Sequence, residues 1–174
     1  MGLLKTKKQK ESIMGTGQQL LTIASIMLLT LLIMNVHRAT AERLTIMYSN
    51  EAIIAGTGVA QSFIDEIESK SFDQKTVSNE VEYSDSLTAP NLLGPDTGEI
   101  SRALFNDVDD YNNYTETDSL PRTGNYHIKI AVHYVANMDP TVISNHATFT
   151  KKIDVYITNF SLPDTLKFSD IVAY

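Results

Sequence analysis

Residues 20–36 read Leu20-Leu21-Thr22-Ile23-Ala24-Ser25-Ile26-Met27-Leu28-Leu29-Thr30-Leu31-Leu32-Ile33-Met34-Asn35-Val36. Whether this run lies in lipid decides what the rest of the chain can be. It sits inside a longer stretch, residues 12–36, in which 25 positions pass without an ionisable side chain. As a helix the apolar heart spans about 26 Å and the whole stretch about 37 Å, which brackets the ~30 Å hydrocarbon core of a bilayer. Six Leu, three Ile and one Val favour insertion, at roughly 0.3 to 0.6 kcal/mol each before the polar Thr, Ser and Asn are subtracted. A soluble helix of this length keeps a polar face, and this run has none. It is read as a single membrane-spanning helix, with the lipid bilayer as its first partner.

Charge sets the orientation. Lys5, Lys7, Lys8 and Lys10 precede the run, so a basic leader, residues 1–19, stays cytoplasmic and the bulk of the chain faces outward. That makes a single-pass inner-membrane protein with a periplasmic or extracellular domain. A cleavable secretory signal is the competing pattern: a basic start, an apolar run and Ala39-Thr40-Ala41, with a cut after Ala41. Seventeen apolar-rich residues exceed the usual length of a signal's central region, and Arg38 sits just before that cut.

Beyond the membrane run, residues 37–70 contain no Pro and continue at helical spacing. Ile46, Met47, Ile53, Ile54, Ala60, Phe63, Ile64 and Ile67 recur at steps of three, four and seven, while Glu42, Arg43, Asn50, Gln61, Asp65, Glu66 and Glu68 fall largely off that stripe. Gly56 and Gly58 weaken the middle by about 1 kcal/mol each and leave room for a bend. With the membrane run, the helix reaches roughly 50 residues and 75 Å. Its outer half needs something to lie against.

The end of the chain supplies it. In residues 126–135, Tyr126, Ile128, Ile130, Val132 and Tyr134 alternate with His127, Lys129, Ala131 and His133, the period of a strand with one buried face. Residues 148–160 repeat the pattern through Phe149, Ile153, Val155 and Ile157, and Leu166 and Phe168 begin a third strand after a turn at 162–164. The reading is an α+β fold: a long N-terminal helix, membrane-spanning and then amphipathic, packed on a C-terminal antiparallel meander over residues 126–174. Residues 71–125 connect the two, with a short strand at 77–83, a helical turn at 100–105 capped by Asp96 or Thr97, and an acidic loop over 106–118.

At 174 residues without Cys, the chain has room for one outward domain held by packing, not by disulfides. The net charge of −7 hides a split. Residues 1–11 carry four Lys against Glu11, and the rest has ten Lys and Arg against twenty Asp and Glu. An acidic outer domain repels phosphate backbones, so nucleic acid is not an expected partner.

A basic leader, an outward-running membrane helix, a variable loop region and a C-terminal antiparallel sheet together resemble type IV pilins and type II secretion pseudopilins. Three stretches carry the resemblance to minor pilins of the PilV, MshD and GspI kind. They are Val59-Ala60-Gln61-Ser62-Phe63-Ile64-Asp65-Glu66-Ile67 with Ser71-Phe72-Asp73, then Phe105-Asn106-Asp107-Val108-Asp109-Asp110-Tyr111-Asn112, and the closing Lys152-Ile153-Asp154-Val155-Tyr156-Ile157. The resemblance implies a structural subunit of a bacterial envelope filament or secretion assembly, with other pilin-like or secretion-system subunits as partners. It implies processing between Gly17 and Gln18, and subunit packing through Met47, Ile54, Phe63, Ile64 and Ile67. The processing motif departs from the family pattern. Thr22 stands where prepilins carry a Glu five residues after the cut, which leaves open an uncleaved, membrane-tethered or secreted binding domain outside any filament.

For chemistry, Asp107, Asp109, Asp110, Asn112 and Asn113 offer the hard oxygen ligands that suit calcium, but without the Gly and distal Glu of an EF-hand loop. A solvated acidic loop is the plainer reading. His127 and His133 share a strand face about 20 Å apart and cannot share a metal; His133 and His146 flank a connection. No zinc-protease, nucleophile-elbow or phosphate-loop pattern occurs, and Gly56-Thr57-Gly58 lies mid-helix, not in a dinucleotide turn. Asn113-Tyr114-Thr115 and Asn159-Phe160-Ser161 match a glycosylation pattern of chance-level specificity. The chain is expected to be neither an enzyme nor a cofactor protein.

Overall fold

The computed structural model describes residues 15–174 in full, and before them the helix backbone from Gly2. The side chains of Lys5, Lys7, Lys8 and Lys10, on which the orientation rests, lie outside the described residues. The chain divides into two units, Met1–Met47 and Tyr48–Tyr174.

The first unit consists of α1 (Gly2–Glu68) up to Met47. From Gly15 on, α1 is long and apolar enough to cross a membrane, and none of its most apolar window is buried. The large apolar residues from 20 to 36 are 47–70 % exposed. The hydroxyls within the run are satisfied internally. Thr22 Oγ1 donates to the Gln18 carbonyl at 2.9 Å, Ser25 Oγ to Leu21 at 2.8 Å and Thr30 Oγ1 to Ile26 at 2.8 Å. Folding hydroxyls back onto the preceding turn satisfies them without water, as a lipid-facing helix requires.

The second unit is an α+β domain. The later turns of α1 lie across an antiparallel sheet of β1 (Thr115–Leu120), β2 (Gly124–Ala136), β3 (Asp139–Ile143), β4 (Thr150–Thr158) and β5 (Leu166–Ala173). The strand order is β1-β2-β4-β5, with β3 hairpinned onto the end of β2. Ile128 opposes Ile157, Ile130 opposes Val155 and Val132 opposes Ile153, so the apolar positions of β2 and β4 share one face. That face meets Val59, Ala60, Phe63, Ile64 and Ile67 of the helix, and Phe105, Val108 and Tyr111 close one end.

Gly56 permits the approach. A Cβ there would sit 3.3 Å from both Leu166 Cδ1 and Tyr126 Cε1, whereas at Gly58 nothing lies within 4 Å. The helix runs unbroken through both residues, and at Gly56 the missing side chain serves close packing. Tyr126 secures the same contact by donating its hydroxyl to the Ala52 carbonyl at 3.1 Å.

The structure corrects four sequence expectations. Residues 77–83 form no strand: Asp73 caps a single turn at Gln74–Thr76, and the segment that follows has no ladder to join. The helical turn near 102 is a short 3-10 segment, Arg102–Leu104, whose preceding residue Ser101 makes no side-chain cap. The loop expected over 106–118 ends earlier, because residues 115–120 form β1. Its polar Thr-Glu-Thr-Asp-Ser-Leu sequence suits a sheet edge wetted on one side. The apolar stripe is also two faces. At 3.6 residues per turn Ile54 falls opposite Ala52, Val59 and Phe63; it is 73 % exposed, while Ala52 is fully buried.

Candidate functional site

Three features stand apart from the plain core, the first of them the acidic loop. The sequence Asn106-Asp107-Val108-Asp109-Asp110 folds back on itself, Asp107 Oδ1 accepting from the Asp109 N–H at 2.7 Å and Asp110 Oδ2 from the Asn106 N–H at 2.9 Å. It is then laid against the residues after α1, where Ser71 N donates to the Asn106 carbonyl and Val108 N to the Ser71 carbonyl. Asp107, Asp109 and Asp110 are each at most 2 % exposed. The loop is therefore buried and not solvated, contrary to the plainer sequence reading.

Lys151 of β4 reaches this loop from the inner face of the sheet. Fully buried, its Nζ donates to Asp109, to Asp73 at 3.1 Å and to the Phe72 carbonyl at 2.7 Å. It also lies 4.3 Å from the centre of the Phe72 ring and 4.9 Å from that of Tyr134. Asp73 additionally accepts from the Thr88 N–H and the Tyr134 hydroxyl. One ammonium thus faces several buried carboxyls.

Their proton affinities diverge accordingly. Burial pushes Asp73 up, but the Lys151 charge, the Lys75 N–H and the Tyr134 hydroxyl outweigh it and hold Asp73 down at about 2. Asp109 is pushed up to about 7 by burial, against the pull of Lys151. Asp107 is pushed up to about 8 by burial and the like charges of Asp109 and Asp110. Asp107 Oδ2, Asp109 Oδ2 and Asp110 Oδ1 are buried without a hydrogen-bond partner. Among the described residues, no three His, Asp or Glu side chains are grouped as a metal's ligands.

A second network ties the same loop region to α1 and β1. Arg102 donates to Glu66 and, at 2.9 Å, to Glu116, and its guanidinium lies 4.1 Å above the Phe63 ring. Tyr111 donates to Glu66 at 2.7 Å and Tyr114 to Glu116 at 2.8 Å. The Arg102 bonds hold Glu66 below the usual carboxylate range, against the opposing effect of its partial burial. Both networks brace the fold. No sequence period announced them, because the bonds that tie each network to a distant element span as many as 36 residues for Arg102 to Glu66 and 79 for Lys151 to Phe72.

The residues expected to pack against other subunits divide. Phe63, Ile64 and Ile67 are 2 %, 7 % and 0 % exposed and belong to the domain's own core. Met47 is 49 % exposed and Ile54 faces solvent. Gly17 and Gln18 lie within α1, and the Gln18 carbonyl accepts the Thr22 hydroxyl.

The third feature is the sheet face turned away from α1. Cross-strand pairing there aligns Thr115, Lys129, Tyr156 and Lys167 in one row and Thr117, His127 and Thr158 in the next. All of these but Lys167, together with Glu116 and Thr165, border an open groove of about 600 Å³. Comparisons with protein-family models, curated proteins and solved structures find no match to this chain.

Proposed function

We propose that the chain is a structural, pilin-like subunit of a bacterial cell-envelope filament or secretion assembly, held by a single pass through the inner membrane. In this reading the helix packs among neighbouring subunits and the sheet presents the outer surface. One arrangement supports it: a helix whose stretch over residues 20–36 is apolar and exposed on every side, and whose last turns pack into the core of an acidic α+β domain. An α+β fold of a long apolar N-terminal helix and an antiparallel sheet is compatible with the pilin plan. Of the five packing candidates, Met47 and Ile54 are the ones left exposed to neighbours.

The test is cysteine cross-linking in the native membrane. Met47→Cys and Ile54→Cys should each trap a neighbouring subunit, and recovery of monomer alone from both would overturn the proposal. A second reading, a tethered binding domain outside any filament, is favoured by Thr22 at the position of the prepilin Glu. The mass of the mature N-terminus separates the two. A start at Gln18 supports filament entry, an intact start supports the tethered domain, and a start at Glu42 supports a secreted one.

A further inference from the structure

We infer that the outward domain joins a second copy of itself head to tail, the groove on the outer sheet face taking the acidic segment around Glu80 and Glu82. The groove end is cationic in an otherwise acidic domain. Lys129 is exposed and forms no ion pair among the described residues. His127 stands beside it, and Thr115, Thr117 and Thr158 offer hydroxyls. The outward carboxylate of this face, Asp154, is already held by Lys167 at 3.0 Å and by the Ser169 hydroxyl at 2.5 Å. Glu116 also lines the groove, but its carboxylate is held by Arg102 at 2.9 Å and by the Tyr114 hydroxyl at 2.8 Å. Lys129 is therefore an unpaired cation beside hydroxyl donors, the chemistry that receives a carboxylate.

The complementary surface lies at the other end of the same sheet. Glu80, Glu82 and Asp85 are exposed and make no ion pair among the described residues, and Tyr83 beside them is 67 % exposed. The segment is fixed where Val81 N–H donates at 3.0 Å to the hydroxyl of Tyr174, whose own N–H bonds to Phe149 just before β4. The groove sits where β4 ends and β5 begins. The seven residue steps from Leu166 to Ala173 separate the two ends by about 23 Å, too far for them to meet within one chain. Unpaired charges of opposite sign at opposite ends of a rigid sheet fit a heterologous contact, which repeats from copy to copy without closing on itself. This inference concerns the outward domain and does not depend on the helix contacts proposed above.

Sedimentation of the full-length chain in detergent tests it. At low ionic strength the chain should self-associate, and raising salt to about 0.5 M should reverse this, since exposed charges are screened within a few ångströms there. Lys129→Glu should weaken association about tenfold, as should Glu80→Lys combined with Glu82→Lys. An equimolar mixture of the two variants should recover association, since the reversed charge at 129 in one chain and the reversed charges at 80 and 82 in the other are again opposite in sign. Wild-type chain that stays monomeric at low salt, or a Lys129→Glu variant that associates normally with an unchanged circular dichroism spectrum, overturns the inference. Cross-linking at Met47 in the same variants separates this from the helix contacts. Retained cross-links with lost sedimentation behaviour of the predicted kind leave the helix reading intact, and the reverse leaves this one.

Discussion

Replacing Asp107 by Asn should reduce the stability that this domain loses in alkali. In the folded chain the Asp107 carboxyl titrates at about 8, raised by burial and by Asp109 and Asp110. Unfolded, it returns to an ordinary carboxyl value near 4. Between those values the folded chain holds a proton that the unfolded chain releases, so stability is fully present at acid pH and is lost as pH rises through 8. The slope from one such group is at most about 1.4 kcal/mol per pH unit, which makes the wild-type loss from pH 5 to pH 7 up to about 2.7 kcal/mol. Asn keeps the Oδ1 that accepts from Asp109 N–H at 2.7 Å and Asp110 N–H at 3.3 Å, and it cannot ionise. The variant should therefore lose less stability than wild type on going from pH 5 to pH 9 and be the more stable of the two at pH 9. Urea denaturation of the full chain in detergent, followed by the circular dichroism of the sheet at several pH values, measures this. Parallel pH profiles for the two proteins would refute the reasoning.

The remaining predictions follow from packing. Lys151→Met leaves Asp73 and Asp109 buried without their cation and should cost about 3–5 kcal/mol at neutral pH, read by the same denaturation, with part of the loss recovered in acid as the stranded carboxyls take up protons. Gly58→Ala meets open space and should stabilise by about 0.5–1 kcal/mol, whereas Gly56→Leu drives atoms into Tyr126, Leu166 and Ile157 and should destabilise by about 1–3 kcal/mol; thermal melts distinguish the two. Phe63→Ala should cost about 3–5 kcal/mol, while Ile54→Ala should stay within about 0.5 kcal/mol and act, if anywhere, on the yield of cross-linked neighbours.

The long helix and the three main strands are legible in the sequence. A chargeless apolar run is one-dimensional information, and so are the alternations Tyr126-Ile128-Ile130-Val132 and Ile153-Val155-Ile157, because each buried face repeats at its element's own period. What the tertiary structure alone decided is everything that depends on a distant partner. Residues 115–120 became a strand because the turn through Arg122 and Gly124, both at positive φ, folds them onto β2; their own polar sequence carries no strand period. The apolar stripe of the helix divided because Gly56 let one face approach the sheet and turned Ile54 away from it. The acidic loop reads as solvated from composition, since carboxylates are rarely buried. It is buried because Lys151, some 40 residues later, delivers a cation to its underside and the residues after α1 bind its backbone. A charge's neighbourhood is a three-dimensional property, and no local spacing encodes it.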